Sequence, residues 1–413
     1  KADQVGVKAL DARTFEVKLE SKTPFFLNLT SFFCFMPVRK DIVEKYGDGW
    51  EKNPKTCVSN GPFVLESYKL GDNLTIAKNK KFYDQKLVKI DKVKMVFVTE
   101  QTTALNAFNA GDIHVNPEIP PSELPRLIAE EPNLVFTPRL QTAYIIFNVD
   151  KAPFNDARVR KAFALALDRK AICTSALKGG ETPATGVVPP VLSLSDGKSF
   201  RKLDASGKPT TEYGVDPNAA RVKEAQKLLA EAGYPGGKGF PKITYSYVTR
   251  ETLKKMSEAI QEMLKNNLNI NVTLDNMEWQ VLVDKRKKGD FLISGGNWTG
   301  DYSDPMTFFD AFAADSSWNE CQWRGTKSKV APHDKVLNPK QKAFAAEITM
   351  AQKTTGKTRD GHLKKAEAIL MEDMPISPLY YGNFCYLVNQ DKVSNVWRNK
   401  VGEYKFWDAE MHK

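Results

Sequence analysis

The sequence has few of the residues that build metal and redox sites. Its five cysteines lie far apart, and none forms a Cys-x-x-Cys pair, so neither a zinc site nor a dithiol redox motif is indicated. The four histidines are also scattered, and none has the helical spacing of a His-Glu-x-x-His motif. We therefore expect no metal site and no cofactor. The odd number of cysteines leaves at least one thiol without an intramolecular disulfide partner.

Long apolar runs are missing too. No stretch has the length and apolar character of a membrane-spanning helix. No signal peptide is visible, although the chain begins at Lys1 without a methionine, which is compatible with processing or truncation.

Acidic residues are outnumbered, since 60 Lys and Arg face 50 Asp and Glu, giving a net charge of +10. The charges are nevertheless interspersed. The densest basic runs, at 78–81 and 285–288, favour solvated helix and turn faces over a nucleic-acid groove, which needs basic and aromatic residues together on one face. We therefore expect no nucleic-acid partner. A basic surface could also lie against an anionic membrane.

Alternation of helical and extended patterns indicates an α/β protein. The length of 413 residues predicts two or three domains. A strand at 243–248, a helix from Glu251 to about Asn266 and a strand at 270–274 form a βαβ unit, which requires parallel strands. Asp216 followed by Pro217 predicts the start of another helix, which ends at Gly233.

The stretch around residues 270–305 carries the strongest binding signal. The short apolar run 291–294 is typical of a parallel strand and is followed by Gly295 and Gly296. Ligands usually bind at the carboxyl ends of such strands. The residues that follow offer apolar walls and a charge: Asn297, Trp298, Thr299, Gly300, Asp301 and Tyr302. They predict either a ligand-binding loop or a surface loop with a structural tryptophan.

Eight segments in this order resemble the extracytoplasmic solute-binding proteins of peptide ABC transporters, specifically the oligopeptide-binding class of family 5. The segments are VKALDARTFEVKLE, SNGPFVLESY, ALNAFNAGDIH, PFNDARVRKAFALALDRKAI, AQKLLAEAGYP, NVTLDNMEW, GDFLISGGNWTGDYSDPMTFF and AEAILMEDMPISPLYY. The resemblance implies an α/β fold of the two-lobed periplasmic-binding-protein type, with hinge strands and a third small domain. Family members have a long segment before the first hairpin that is not in this sequence, so we expect the small domain to be only partly present.

The resemblance also implies domain bounds. Residues 1–37 would be the remnant of the small accessory domain. Residues 38–140 plus 385–413 would form an incomplete first lobe, and residues 141–384 the second lobe.

Several site residues carry over by resemblance. Asp301 matches the acidic residue that pairs with the terminal ammonium of the peptide. Asn297 and Thr299 match positions whose backbone hydrogen-bonds the peptide. The remaining candidates match an aromatic pocket wall, a basic residue near the far end of the peptide and a tyrosine beside the cleft: Trp279, Arg286 and Tyr144. Trp298, in the same loop, completes the ligand-binding set.

Three departures from the family bear on peptide length. Gly295 stands where well-known members carry an arginine, and Leu253 stands where some carry a histidine that can meet the terminal carboxylate. Gln141 and Thr299 replace a disulfide pair. Arg286 therefore remains as a candidate cation for the carboxylate, unless it is one member of a solvated basic run.

The resulting hypothesis is a monomeric extracytoplasmic binding protein, periplasmic or lipid-anchored, and not an enzyme. It would capture oligopeptides between its lobes and deliver them to the membrane permease of an ABC transporter. One alternative in the same class is a dipeptide or metal-chelate carrier, although the scarcity of histidine disfavours the chelate. A different class is a hydrolase that uses the carboxylates of Asp301 and Asp304 as acid and base.

Overall fold

A computed structural model describes residues 5–325 and 338–412. The chain divides into two compact units, each built from three separate segments. The large unit comprises Lys1–Phe32, Thr142–Ile172 and Pro183–Tyr381. The small unit comprises Phe33–Gln141, Cys173–Thr182 and Gly382–Lys413.

Strands in the described ranges are mostly short. In chain order they are β1 (Val7–Ala9), β2 (Phe15–Val17), β3 (Phe63–Lys69), β4 (Asn73–Lys78), β5 (Lys92–Val96), β6 (Val115–Asn116), β7 (Leu134–Phe147), β8 (Thr182–Pro183), β9 (Ile243–Val248), β10 (Val272–Met277), β11 (Ile293–Thr299), β12 (Ile376–Val388), β13 (Val393–Ser394), β14 (Trp397–Arg398), β15 (Tyr404–Lys405) and β16 (Glu410–Met411). The unit boundaries at 141/142 and 381/382 fall inside β7 and β12, so the chain passes between the units within these two strands.

Helices in the described ranges include three long ones, α8, α11 and α12. In chain order the helices are α1 (Phe26–Leu29), α2 (Lys40–Tyr46), α3 (Gln101–Asn109), α4 (Leu124–Glu130), α5 (Ala157–Leu165), α6 (Arg169–Ala171), α7 (Val222–Glu231), α8 (Glu251–Leu268), α9 (Trp279–Lys287), α10 (Thr307–Asp310), α11 (Pro339–Lys353) and α12 (Gly356–Asp373).

The large unit is built on a sheet in the order β10-β9-β11-β7-β12. Strands β9 and β10 are parallel, with Val272 opposite Ile243, and α8 connects them. This confirms the predicted βαβ unit. Strand β11 is also parallel to β9, with Ile293 opposite Tyr245. Because β11 lies between β9 and β7, it is an interior strand, as the apolar run at 291–294 predicts.

Strand β11 continues further than the sequence predicts. The glycine pair was expected to end the strand, yet β11 runs through both glycines to Thr299. The glycines serve close packing instead of a turn. A Cβ on Gly295 would lie 2.6 Å from the hydroxyl of Tyr245, and one on Gly296 would lie 2.5 Å from Cδ1 of Ile146. Both distances are below van der Waals contact, so neighbouring side chains require glycine at these positions.

The expected helix start at Asp216 is wrong. The Asp216 carboxylate instead accepts a hydrogen bond from the backbone N–H of Asn218 at 2.8 Å and closes a turn. Helix α7 begins only at Val222. The preceding residue, Arg221, donates its N–H to the carbonyl of Leu165 at 2.8 Å. This tertiary hydrogen bond fixes the chain just before the helix, which local sequence signals do not reveal.

Helix α5 follows its sequence signals closely. Asp156 caps it by accepting the N–H of Arg158 at 2.8 Å, and aspartate is among the preferred residues at this position. The buried face includes Phe163, whose ring packs edge-on against Phe154 at 5.0 Å between centroids. The aromatic cluster that continues through Phe147 anchors α5 in the core of the large unit.

The small unit contains an antiparallel sheet, β3-β4-β5. The C-terminal part of β12 pairs with β6, with Leu387 opposite Asn116. Two apolar clusters stabilise this unit. One packs Leu387 against residues of α3 and α4, including Phe108 and Leu127, and the other surrounds Tyr386. The unit therefore has its own buried core.

Candidate functional site

A pocket opens in the large unit where β9 and β11 reach their carboxyl ends. It is a shallow pocket that is partly open to solvent. The lining residues come from strands, from α8 and from the start of α9: Ala143, Tyr247, Val248, Leu253, Met256, Trp279, Gly295, Gly296, Asn297 and Tyr380. The carboxyl ends of parallel strands are the usual ligand position in an α/β sheet, so this pocket is the candidate binding site.

Trp279 forms an apolar wall of the pocket and is 43% exposed. It is the first residue of α9, and Glu278 caps that helix. The Glu278 carboxylate accepts the backbone N–H groups of Gln280 at 2.6 Å and Val281 at 3.3 Å. These bonds fix the start of the helix. The cap therefore holds an exposed aromatic ring at the opening of the pocket.

Arg286 lies behind the pocket wall and is only 2% exposed. Its Nη1 donates to the carbonyl of Gly295 at 2.8 Å, and its Nε lies 3.2 Å from Oε2 of Glu320. Its guanidinium also stacks on the ring of Trp279, 5.5 Å from the centroid. The interpretation of Arg286 as one member of a solvated basic run is therefore wrong. A buried cation needs a compensating charge, and Glu320 provides it.

Tyr144 and Glu320 belong to the same buried cluster as Arg286. Burial raises the pKa of the Tyr144 hydroxyl, with a smaller contribution from the Glu320 charge. Burial also raises the pKa of the Glu320 carboxyl, while Arg286 opposes the increase. The ring of Tyr144 packs against Phe312 at 6.5 Å between centroids. The site thus brings the predicted residues Tyr144, Arg286 and Trp279 into one connected group.

Asn297, Trp298 and Thr299 form the end of β11. Asn297 lines the pocket and is exposed, whereas Trp298 and Thr299 are half-buried. The ring of Trp298 packs edge-on against Trp318 at 5.9 Å. Its buried Nε1 has no hydrogen-bond acceptor among the described residues. The three predicted residues therefore lie on a strand beside the pocket, where the sequence predicts a loop.

Asp301 follows β11 in a loop that other residues anchor. Its N–H donates to the hydroxyl of Thr307 at 3.0 Å. Tyr302 stacks on Phe25 at 4.9 Å and donates its hydroxyl to Asp310 at 2.6 Å. The Asp301 residue is exposed, yet desolvation by the surrounding protein raises the pKa of its carboxyl. Its carboxylate has no hydrogen-bond donor in the described part of the chain, and it is not among the residues that line the pocket.

Asp304 does not resemble a catalytic carboxylate. Both of its oxygens accept hydrogen bonds from Arg359, and one also accepts the N–H of Met306 at 2.9 Å. Asp304 therefore anchors the loop. Its oxygens are already bonded, which argues against the acid or base role that the hydrolase alternative gives it together with Asp301.

Sequence reasoning missed several lining residues. Tyr247, Val248 and Met256 could have been found, because they lie at the end of a predicted strand and on the following predicted helix. Ala143 and Tyr380 could not, since they come from β7 and β12, far away in sequence. Two departures from the family, Leu253 and Gly295, prove to line the same pocket.

No group of three or more histidine, cysteine, aspartate or glutamate side chains in the described ranges is placed to hold a metal ion. No helix in the same ranges combines the length and apolar character needed to cross a bilayer.

Comparison with known proteins identifies similar sequences. The model of the family described as "Bacterial extracellular solute-binding proteins, family 5 Middle" matches residues 1–320. The oligopeptide-binding protein OppA of Bacillus subtilis is 32% identical over 98% of this chain and 71% of its own length. The dipeptide-binding protein DppE of the same organism is 33% identical over 97% of this chain and 69% of its own length. The chain thus spans about seven-tenths of these relatives.

A solved structure of a peptide-binding protein has a similar fold. The crystal structure of Haemophilus influenzae OppA in complex with the peptide RPPGFSPFR has a TM-score of 0.77 and 28% sequence identity, covering 100% of this chain and 76% of that one. The match confirms the predicted fold class, an α/β fold of the two-lobed peptide-binding type.

Proposed function

Because the chain belongs to family 5 of the bacterial extracellular solute-binding proteins, we propose that it captures oligopeptides and delivers them to the permease of an ABC transporter. Its relatives include oligopeptide-binding and dipeptide-binding proteins. It acts as a binding protein and not as an enzyme.

The geometry of β11 carries this proposal. Strand β11 pairs with β9 at Ile293 and Ser294, whereas β11 itself continues to Thr299. The part of β11 beyond Ser294 therefore extends along the pocket after its pairing with β9 has ended. An extended peptide can add to such a strand through main-chain hydrogen bonds, which are independent of peptide sequence. Side-chain pockets beside the strand then add selectivity.

The site residues have distinct roles in this proposal. Asn297 and Thr299 offer backbone groups to the peptide, and Trp279 and Trp298 form apolar walls. Asp301 pairs with the terminal ammonium, because a charge that loses water on binding requires an opposite charge. The Asp301 carboxylate has no hydrogen-bond donor among the described residues, and desolvation raises its pKa, both of which support a role in binding a cation.

Tyr144 and Arg286 support the pocket wall without lining the pocket. Tyr144 contributes to the buried cluster beside the pocket. Arg286 acts through the wall that it stabilises, because its guanidinium is already occupied by Gly295 and Glu320.

The location and partners follow from the family in this proposal. The protein works outside the cytoplasmic membrane, in the periplasm or as a lipoprotein on the outer face of that membrane. It is a monomer that meets the permease after it has bound a peptide. Occupancy would be signalled by a shift between two conformational states, which requires that the peptide binds one state more tightly.

Isothermal titration calorimetry tests the function and the role of Asp301 together. Peptides with a free N-terminus should bind the parent protein, and acetylated versions should bind more weakly. Asp301→Asn should weaken the free peptides by about 10- to 100-fold, the effect of losing one charged hydrogen bond. Asp315→Asn, at another exposed aspartate, should change nothing. Equal affinity of free and acetylated peptides for the parent would remove Asp301 from this role.

The dipeptide alternative rests on the similarity to DppE. The same calorimetry separates the two functions if dipeptides are compared with tetrapeptides and pentapeptides of the same composition. Tighter binding of the longer peptides supports oligopeptide capture, and exclusive binding of dipeptides supports the alternative. Incubation of the protein with these peptides, followed by mass spectrometry, tests for the hydrolase, which would release fragments.

A further inference from the structure

The pocket beside β11 has an uncharged lining. Of its ten described lining residues, none carries an ionisable acid or base that is charged at neutral pH. Seven of them have apolar or aromatic side chains: Ala143, Tyr247, Val248, Leu253, Met256, Trp279 and Tyr380. Asn297, the two tyrosine hydroxyls and the backbone of the two glycines supply the polar groups. A pocket of this kind favours an apolar side chain and offers a carboxylate no positively charged partner.

The cations of α9 near the pocket are neutralised by acidic neighbours. Arg286 stands directly behind the wall, but Glu320 compensates its charge at 3.2 Å. Lys285 lies 3.0 Å from the carboxylate of Asp275 and is also bonded to Ser246. Both Arg286 and Lys285 therefore have a partner of opposite sign.

Two lysines of α8 are similarly placed one helical turn from glutamates. Lys255 lies 2.9 Å from Glu251, and Lys254 lies 4.0 Å from Glu258. Arg250, which precedes α8, is exposed and is not among the lining residues. Arg250 is the alternative cation that would account for the binding of a carboxylate near this pocket, so the test includes an Arg250 variant.

We propose that this pocket accepts an uncharged apolar side chain of the bound peptide and rejects both an acidic side chain and the terminal carboxylate. This inference rests on the proposed function and adds the chemistry of one subsite. Leu253 and Gly295 are the determinants, because they place an aliphatic group and bare backbone in the wall. The Arg286–Glu320 pair is a positioning element that holds Trp279 and Gly295 in place without a net charge.

The pocket opens toward solvent beside β11, and its lining is mostly apolar. Burial of an apolar side chain is favourable in proportion to the apolar area removed from water, whereas a carboxylate here would lose hydration without gaining a compensating positive charge.

Calorimetry with a set of pentapeptides tests the proposal on the full chain. The peptides have alanine backgrounds and carry leucine or glutamate at one position at a time. At one position, leucine should bind at least about tenfold more tightly than glutamate. In Leu253→Lys, the half-buried position 253 acquires a cation. The affinity for the peptide with glutamate at the discriminating peptide position should then rise at least about tenfold relative to the leucine peptide.

Matched variants separate a local effect from a general one. Val281→Lys adds the same charge at an exposed position of α9 outside the pocket and should leave the preference unchanged. Glu320→Gln removes the negative charge that compensates Arg286. It should raise the affinity for the peptide with glutamate at the same peptide position several-fold. This variant keeps the proposal testable if the Leu253 variant does not fold. Arg250→Gln should have no position-specific effect.

The outcomes are distinct. If no peptide binds the parent protein, the proposed function fails. If peptides bind but glutamate matches leucine at every position, the pocket proposal fails and the function stands. A loss of glutamate binding in Arg250→Gln would also overturn it, because a carboxylate would then be recognised at the rim. A shift to glutamate in Leu253→Lys that is confined to one position supports the proposal.

Discussion

Arg359 and Asp304 form a bidentate ion pair, with Nη1–Oδ2 and Nη2–Oδ1 distances of 3.0 Å and 2.6 Å. Both residues are buried, at 6% and 9% exposure. The guanidinium also stacks on Phe25, whose ring packs against Tyr302. Tyr302 and Asp304 follow Asp301 closely in the chain. The Arg359–Asp304 pair and the Phe25–Tyr302 contact therefore fix the loop that presents Asp301.

Removing one partner of this ion pair should be costly. Arg359→Met should destabilise the protein by about 3–5 kcal/mol, because it leaves the carboxylate of Asp304 buried and uncompensated. Chemical denaturation measures the loss. The matched control is Arg126→Met, which breaks surface contacts with Glu123 and should cost at most about 1 kcal/mol. Equal losses in the two variants would contradict the structural role of the pair.

Gly295 should tolerate no side chain while Tyr245 keeps its hydroxyl. Gly295→Ala would place a Cβ 2.6 Å from that hydroxyl, so we expect about 1–3 kcal/mol of destabilisation from overpacking. Tyr245→Phe removes the clashing atom. The double variant should therefore be more stable than Gly295→Ala alone, and a double-mutant cycle in urea measures the coupling. Simple additivity of the two changes would show that the clash is relieved elsewhere.

Asp310 should make stability depend on pH. Desolvation, followed by the nearby charge of Asp304, raises the pKa of this carboxyl from 3.8 to about 6, against the opposing hydrogen bond from Tyr302, although part of the residue stays accessible to solvent. The folded state then binds this proton more tightly than the unfolded state, so this carboxyl lowers stability as the pH rises from about 4 to about 6.

The variant Asp310→Asn isolates this contribution. It should melt at a higher temperature than the parent at neutral pH, and the difference should shrink toward zero as the pH falls to about 4. Differential scanning calorimetry across this range measures both proteins, with Asp315→Asn as the control. A difference that stays constant with pH would exclude the titration of Asp310 as its cause.

Glu367 is fully buried in the large unit and accepts hydrogen bonds from four donors. These are the N–H groups of Val187 and Val188, both at 2.9 Å, the hydroxyl of Tyr213 at 2.8 Å, and the guanidinium of Arg201. Glu367→Gln should cost about 1–3 kcal/mol, because it weakens the charged hydrogen bond to Arg201, while Glu212 at 3.5 Å still compensates the charge of that guanidinium. Limited proteolysis should then cut the segment between Val188 and Tyr213 faster than in the parent. Unchanged cleavage would mean that other contacts hold this segment.

Much of the fold around the site could be predicted from the sequence, because its signals are local. Local patterns predict three of its elements: the strand at 291–294, the helix after Glu251 and the strand before Thr249. The end of β11 was mispredicted, since glycines look the same whether they turn a chain or allow a close approach. Only the positions of Tyr245 and Ile146 distinguish these cases.

The chemistry of the site was less accessible to sequence reasoning. Arg286 sits in a run of four basic residues, and nothing local marks it as the buried member. Its burial depends on Glu320 and on the Gly295 carbonyl, which the fold brings together across distant segments. The roles of Asn297 and Trp279 could be proposed only through the resemblance to the family, and Ala143 and Tyr380 were not found at all.

The division of β7 and β12 between the two units has a consequence for synthesis on the ribosome. The large unit requires residues up to Tyr381, and the small unit requires the segment that begins at Gly382. Neither unit can therefore complete its core while most of the chain is still being made, although domains usually fold in order of synthesis. Nascent chains of this protein would expose apolar segments until late in translation, and their protection by chaperones during that time would govern the yield.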